Sequence, residues 1–242
     1  MKLSIIIPVY NEEKLISSVI QKVIDADCTG LCREIIVVDD GSTDKSAIRV
    51  SQLVANSKHK KTSRYSLISI RLSSNQGKGA ALKAGFQKST GDILMVQDAD
   101  EEYTVADYPA LLEPFIKDKA KVVYGSRNKK RENFKNRYSY LVFYLGGLVL
   151  TWFINLLYGL SLTDQPTGYK LFSKDMKPLL LKPIENRFTY EVAVSATLAK
   201  NNIPFTEVPI HYKPRTMSDG KKITGWDFVK SVMVAIKYRL TD

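Results

Sequence analysis

Sulfur and imidazole are scarce in this chain. Cys28 and Cys32 are its only cysteines and His59 and His211 its only histidines. With no Cys/His cluster, neither a disulfide framework nor a zinc site is supported, and a reducing compartment fits. The two histidines read as incidental, one in a polar loop and one at a strand end. Acidic charge is also short, with 25 Asp and Glu against 36 Lys and Arg and a net charge of +11. That balance favours an anionic partner such as phospholipid or a phosphorylated substrate, while nucleic acid has no recognisable module to support it. A signal sequence is lacking as well, because the apolar run at residues 3–9 is far too short for one. The first residues are therefore expected to fold as part of the domain. At 242 residues, 44% of them hydrophobic, one domain is the expectation.

Against these shortages stands a regular alternation. Residues 3–9 form a β-branched run, and residues 12–24 follow with Leu15, Ile16, Val19, Ile20 and Val23 at helical spacing. Residues 34–38 and 43–54, then 66–72 and 78–87, repeat the strand–helix pair, and 92–96 is a fourth buried strand. The pattern predicts an α/β fold with a mostly parallel central sheet and helices on both faces, whose ligands gather beyond the carboxyl ends of the strands. Polar residues cluster there: Pro8-Val9-Tyr10-Asn11-Glu12 after the first strand, Asp39-Asp40-Gly41-Ser42 after the second and Asp98-Ala99-Asp100 after the fourth. Two acids where a buried strand opens into a loop suit a hard divalent cation. A solvated acidic turn is the alternative.

Farther on, helices are expected over 107–116 and 190–200 and strands over 121–124 and 203–210. The segment 126–137 carries Arg127, Lys129, Lys130, Arg131, Lys135 and Arg137, and 138–163 then contains no Asp, Glu, Lys, Arg or His. By length the uncharged stretch could span a bilayer. Gly146, Gly147, Thr151, Asn155 and Tyr158 line one face of it, so a helix lying on a membrane surface is favoured, with a span or an internal core helix as alternatives. A basic loop over 213–222 leads into a last helix, where Trp226, Val229, Met233, Ile236 and Leu240 recur at three- and four-residue steps. This stripe is expected to pack against the sheet.

Taken together, Pro8-Val9-Tyr10-Asn11-Glu12, Val38-Asp39-Asp40-Gly41-Ser42-Thr43-Asp44, Asn75-Gln76-Gly77-Lys78-Gly79 and Asp98-Ala99-Asp100 resemble, in order and spacing, the family 2 glycosyltransferases of the GT-A fold. Asp164-Gln165-Pro166-Thr167-Gly168-Tyr169-Lys170-Leu171-Phe172 and Val208-Pro209-Ile210, with Arg215 and Lys221, narrow the resemblance to the polyprenyl-phosphate sugar synthases, dolichyl-phosphate mannose synthases among them. It covers essentially the whole chain and implies one GT-A domain over 1–242, with a nucleotide-sugar half at 1–126 and an acceptor half at 127–242. The implied reaction is inverting hexosyl transfer from a nucleotide-sugar, GDP-mannose ahead of UDP-glucose, to a polyprenyl or dolichyl phosphate. Its implied place is the cytoplasmic face of a membrane, and its implied cofactor Mg2+ or Mn2+.

Residue by residue, the resemblance implies a nucleotide pocket lined by Pro8, Tyr10 and Glu12, with main-chain contacts from Val38 to the base and Asp40 accepting from base or ribose, and a donor site at Asp98, Ala99 and Asp100. Arg127, Arg137, Arg215 and Lys221 are the implied phosphate contacts, and Asp100, Arg215 and Lys221 the implied catalytic residues. Asp98 and Asp100 are the implied metal ligands. Glu102, where the family often has Gln, is either a third ligand or an extra anion that needs compensation. Leu141 departs from the acceptor-site pattern, which commonly has Ser there. Gly77 and Gly79 read as points of close backbone approach, since no phosphate-loop fingerprint is present. A phosphate acceptor is already anionic and needs positioning more than a base. A glycan hydroxyl acceptor, the first alternative, would need a base, and Glu191 is the acid in a family-like position, though a structural role is favoured for it. A catalytically idle membrane scaffold is the second alternative.

Overall fold

The computed structural model describes residues 1–57, 64–129, 141–215 and 225–241. Arg137 and Lys221 lie outside the described residues, as do His59 and much of both basic loops. In chain order the elements are β1 (Lys2–Val9), α1 (Ile16–Asp25), β2 (Cys32–Asp39), α2 (Ser46–Ser57), β3 (Tyr65–Arg71), α3 (Lys78–Lys88) and β4 (Ile93–Val96). There follow α4 (Tyr108–Lys117), β5 (Val122–Ser126), α5 (Leu141–Tyr158), β6 (Lys170–Ser173), α6 (Lys177–Leu181), α7 (Thr189–Lys200), β7 (Phe205–Pro209) and α8 (Gly225–Leu240).

Alternation in β1 sends Leu3, Ile5, Ile7 and Val9 to one side of the sheet and Ile6 to the other. On the first side Ile16, Val19, Ile20 and Val23 of α1 and Leu111, Leu112 and Phe115 of α4 complete a core. On the second, Leu82 and Phe86 of α3 and Tyr190, Val194 and Leu198 of α7 do the same. With both faces covered, the central strands are apolar throughout.

The seven strands run in the order β3-β2-β1-β4-β6-β5-β7. β1 pairs in parallel with β2 on one side and β4 on the other. The chain thus reverses its direction of winding at β1, and a crevice opens beyond the carboxyl ends of β1 and β4. β6 is antiparallel to both β4 and β5. The chain comes back from α5 through residues 159–169, which are bonded to the carboxyl end of β5 through Asp164 and the Arg127 N–H. The next strand must therefore run the opposite way.

Among the described residues one helix, α5, is long and apolar enough to cross a membrane, with a mean hydropathy of 1.8. Its inner face, however, is tied to the protein. Thr151 Oγ1 accepts the Gln165 N–H at 3.1 Å, and the Asn155 amide bonds both the N–H and the carbonyl of Leu162 at 3.1 and 2.8 Å. Its outer face bares Val142, Leu145, Val149, Trp152 and Leu156.

α8 departs from expectation. The stripe from Trp226 to Leu240 faces outward, while Ser231 and Ala235 are buried. The sheet offers α8 no bare surface, because α3, α6 and α7 already cover that side. α8 instead joins α5 and α7 in a small cluster around Leu150, Ile154, Val192 and Ala235.

Candidate active site

The acid pair rests on a buried polar platform. Gln97, at the end of β4, accepts hydrogen bonds from the hydroxyls of Tyr108 and Tyr169 at 2.6 and 2.9 Å. Its amide donates to the Asp98 carbonyl at 2.8 Å, setting the backbone from which both carboxylates project. Glu101 turns the chain through a left-handed φ of 58° and pairs with Lys22. The loops after β1 and β2 are joined to each other, since Asn11 Oδ1 accepts the Thr43 N–H and the Asn11 N–H donates to Ser42 Oγ.

Asp98 lies against a cation from another element. Lys78 Nζ, at the start of α3, is 2.7 Å from Asp98 Oδ1 and 2.9 Å from Glu191 Oε1, and Lys170 Nζ is 3.5 Å from Glu191 Oε2. Burial works against the charge on Lys78, but Asp98 and Glu191 outweigh it and hold the ammonium charged well above the ordinary lysine range. Burial likewise disfavours the Glu191 carboxylate, yet the two lysines keep its pKa low. Glu191 is thus a half-buried counterion. Gly77, at φ 105°, and Gly79 bring α3 close to the segment before α7: a Cβ on Gly79 would stand 2.4 Å from that of Tyr190. The expectation of close backbone approach holds at both.

Asp100 is pushed up to about 7 by burial first, then by Asp98 and Glu102, with Arg215 pulling the other way. The Arg215 guanidinium is 3.0 Å from Asp100 Oδ2 and 3.3 Å from Glu12 Oε2. Glu102 places it there by accepting the Arg215 N–H at 2.9 Å and the Tyr212 hydroxyl at 3.0 Å. Tyr103 bridges to Tyr212 across the same seam, and its hydroxyl accepts the Gly168 N–H at 2.8 Å.

Glu12, Asp98, Asp100, Glu102 and Arg215 are therefore gathered around the carboxyl ends of β1 and β4, with Ala99 buried between the two aspartates. Pro8 and Tyr10 are half-buried at the end of β1, and the Val38 side chain lies in the core beside α3. Two of the implied contact residues carry strong partners within the protein. Asp40 is buried and takes the N–H groups of Gln76 and Gly77, one on each oxygen, both at 2.8 Å, so it anchors the loop that starts α3. The Arg127 fork is bidentate to Asp164 at 2.7 Å on both arms and lies over the Tyr212 ring. His211, read as incidental, meets the buried Asp107 at 2.7 Å. Sequence reasoning quoted Lys78 only within a glycine-rich motif, and it missed Gln97, Tyr103 and Tyr212, whose partners come from distant segments.

The donor set suits a hard divalent cation, for it consists of carboxylate oxygens, and Asp100 is pushed up first by burial and then by the neighbouring Asp98 and Glu102 carboxylates. Among the described residues no three His, Cys, Asp or Glu side chains converge into a metal cage. Two carboxylates completed by phosphate oxygens of a substrate is the arrangement that fits.

A mostly parallel sheet with an acid pair at its switch point has the architecture of the GT-A glycosyltransferases, and solved structures share it. Glucosyl-3-phosphoglycerate synthase from Mycobacterium tuberculosis in complex with phosphoglyceric acid superposes with a TM-score of 0.69 at 20% identity, covering 98% of this chain and 79% of that one. The same enzyme with Mn2+, uridine diphosphate and phosphoglyceric acid gives 0.67 at 19%, covering 100% and 79%. The chain belongs to glycosyl transferase family 2, whose sequence model matches residues 4–178. Among its relatives, a UDP-N-acetylglucosamine–dolichyl-phosphate N-acetylglucosaminyltransferase of Methanococcus voltae is 31% identical over 231 residues, covering 90% of this chain and 89% of its own. A dolichol-phosphate mannosyltransferase of Pyrococcus furiosus is 28% identical over 222 residues, covering 91% of this chain but 59% of its own.

Proposed function

We propose that this protein transfers one hexosyl group, with inversion, from a nucleotide-sugar to a polyprenyl or dolichyl phosphate, bound peripherally at the cytoplasmic face of a membrane. The observation that carries the reading is Arg215, wedged between Asp100 and Glu12 where the strands of the sheet end. A permanently charged planar fork in that place suits phosphate oxygens, which it can meet through two parallel hydrogen bonds. Residues 1–126 form the donor half in this reading and 127–242 the acceptor half.

Pro8, Tyr10 and Glu12 line the nucleotide, the main chain of Val38 contacts its base, and Arg215 steadies the charge that develops on the leaving diphosphate. Asp98 and Asp100 would hold Mg2+ or Mn2+, which when bound supplies further neutralisation of that diphosphate. Arg137 and Lys221 belong to the phosphate-binding set. An oxygen of the lipid phosphate attacks the anomeric carbon directly. This step needs no general base, and Glu191, paired with Lys78 and Lys170, is not free to serve as one. A glycan hydroxyl acceptor is disfavoured for the same reason.

Mannose leads among donor sugars and glucose follows. N-acetylglucosamine joins them because the Methanococcus voltae relative, matched over nearly its whole length, carries that sugar in its name. The test supplies purified protein with Mn2+, a short polyprenyl phosphate and labelled GDP-mannose, UDP-glucose or UDP-N-acetylglucosamine. The expected outcome is label in the organic phase from one dominant donor, abolished by Asp100→Asn. Label on a water-soluble glycan would make the acceptor a hydroxyl, and no transfer from any donor would leave the scaffold reading.

A further inference from the structure

The sequence leaves two roles open to Glu102, third metal ligand or extra anion, and its contacts give it another. Both carboxylate oxygens are engaged: Oε2 accepts the Tyr212 hydroxyl at 3.0 Å and Oε1 the Arg215 N–H at 2.9 Å. Its main-chain carbonyl accepts the Lys213 N–H at 2.9 Å. A residue two places beyond Asp100 thus holds three points of a segment 110 to 113 residues farther along the chain.

That segment, 211–215, is a strap laid against 102–107. Tyr103 and Tyr212 form an antiparallel bridge across the seam, their rings 5.4 Å apart. At the far end the His211 N–H and ring Nδ1 meet the two oxygens of the buried Asp107 at 2.8 and 2.7 Å. Before it, the Ile210 N–H donates to the Ser126 carbonyl at 3.0 Å and ties the strap to the end of β5. Pro214, its φ set by the ring, stands between the amides of Lys213 and Arg215 that Glu102 holds. Arg215 therefore leaves the strap from a fixed backbone, and its guanidinium comes to Asp100 and Glu12.

We propose that Glu102 is a positioning residue that aims Arg215 at the donor diphosphate, while Asp98 and Asp100 hold the divalent cation without it. The proposal rests on the nucleotide-sugar reading above. A carboxylate suits this post because both of its oxygens accept, and an ionised acceptor makes the stronger bond, whereas an amide offers one acceptor oxygen. Turned toward a cation, the same carboxylate would give up an end of the strap. Held as it is, it makes the acid loop and the arginine from the other half of the chain one rigid unit.

The test compares Glu102→Ala, Glu102→Gln, Arg215→Ala and the double variant Glu102→Ala with Arg215→Ala. Uridine and guanosine diphosphates are titrated by calorimetry, once with Mn2+ and once in EDTA. The expected result is a roughly tenfold loss of affinity for Glu102→Ala in both solutions and no further loss once Arg215 is already Ala. Glu102→Gln recovers to within about threefold, since its amide oxygen still takes the Arg215 N–H. A loss confined to Mn2+ would make Glu102 a metal ligand, and additive losses would give it a role apart from Arg215; either overturns the proposal. Amide hydrogen exchange at Arg215 needs no ligand: it is expected to quicken about tenfold in Glu102→Ala, and unchanged exchange overturns the strap. If the unaltered chain binds neither diphosphate while Arg215 exchange responds, only the catalytic reading is rejected.

Discussion

Gly168 is held to a hydrogen side chain by its neighbours. A Cβ there would stand 2.4 Å from Asp98 Oδ2 and 2.6 Å from the Tyr103 ring, well inside contact distance. Gly168→Ala must therefore displace Asp98 or Tyr103, and overpacking of this kind costs about 1–3 kcal/mol. The expected result is a retained fold with Mn2+ and nucleoside diphosphate affinity each weakened roughly tenfold, checked by titration calorimetry beside far-ultraviolet circular dichroism. The nearness of Asp98 and Asp100 to the sheet's carboxyl edge was legible as a strand-end acid pair, and Arg215 was singled out only through the family resemblance. Lys78 as a counterion was not, because its partners Asp98 and Glu191 come from other elements. The same holds for Arg127 and Asp40: the resemblance implied phosphate and nucleotide contacts, and only packing showed that Asp164 and the Gln76–Gly77 backbone are their partners within the protein.

Elements are joined by buried polar side chains whose loss has a sign. Glu34 of β2 pairs with Lys2 of β1 at 2.6 Å and accepts the Thr90 hydroxyl at 2.8 Å, gathering the amino ends of the strands. Burial alone would raise its pKa, but Lys2, Ser4 and Thr90 outweigh it and bring the carboxyl from 4.5 to about 2. The stability it contributes is full above about 4.5 and is lost as pH falls toward about 2. Denaturant midpoints measured across that window are expected to fall less steeply for Glu34→Gln, which begins about 1–3 kcal/mol less stable at neutral pH. Asn155→Leu tests α5 in the same way. It makes the helix more apolar yet strips the Leu162 N–H and carbonyl of their partner, so thermal stability in detergent-free buffer is expected to drop by about 1–3 kcal/mol. Most of the helices and strands were legible from periodicity, but β6 and α6, the direction of β6 and the facing of α8 were not. Period reports which residues share a face and says nothing of what that face meets.

At the scale of the whole molecule, a net charge of +11 and two bare apolar stripes act together. Co-sedimentation with phosphatidylglycerol vesicles is expected to weaken as salt rises, because exposed charges are screened within about 10 Å at ~0.1 M salt. A residual, salt-resistant fraction is expected from the apolar stripes, and Trp226→Ser should diminish it. Vesicle titrations at two salt concentrations separate the contributions.

The order of strands and helices, the crevice beyond the strand ends and the acid pair at its rim are local properties, carried by short apolar runs and the residues that stop them. For that reason the α/β class, the family and the neighbourhood of the candidate site could be read before any packing was known. Which carboxylates meet a cation, which arginine stays at the rim and which helix face remains bare depend on groups brought together from far apart in the chain. Their energies are those of burial and pairing, which exist only once the sheet is covered on both sides. Tertiary structure alone decided that Lys78 holds Asp98, that Arg127 belongs to Asp164 and that α8 turns its tryptophan outward.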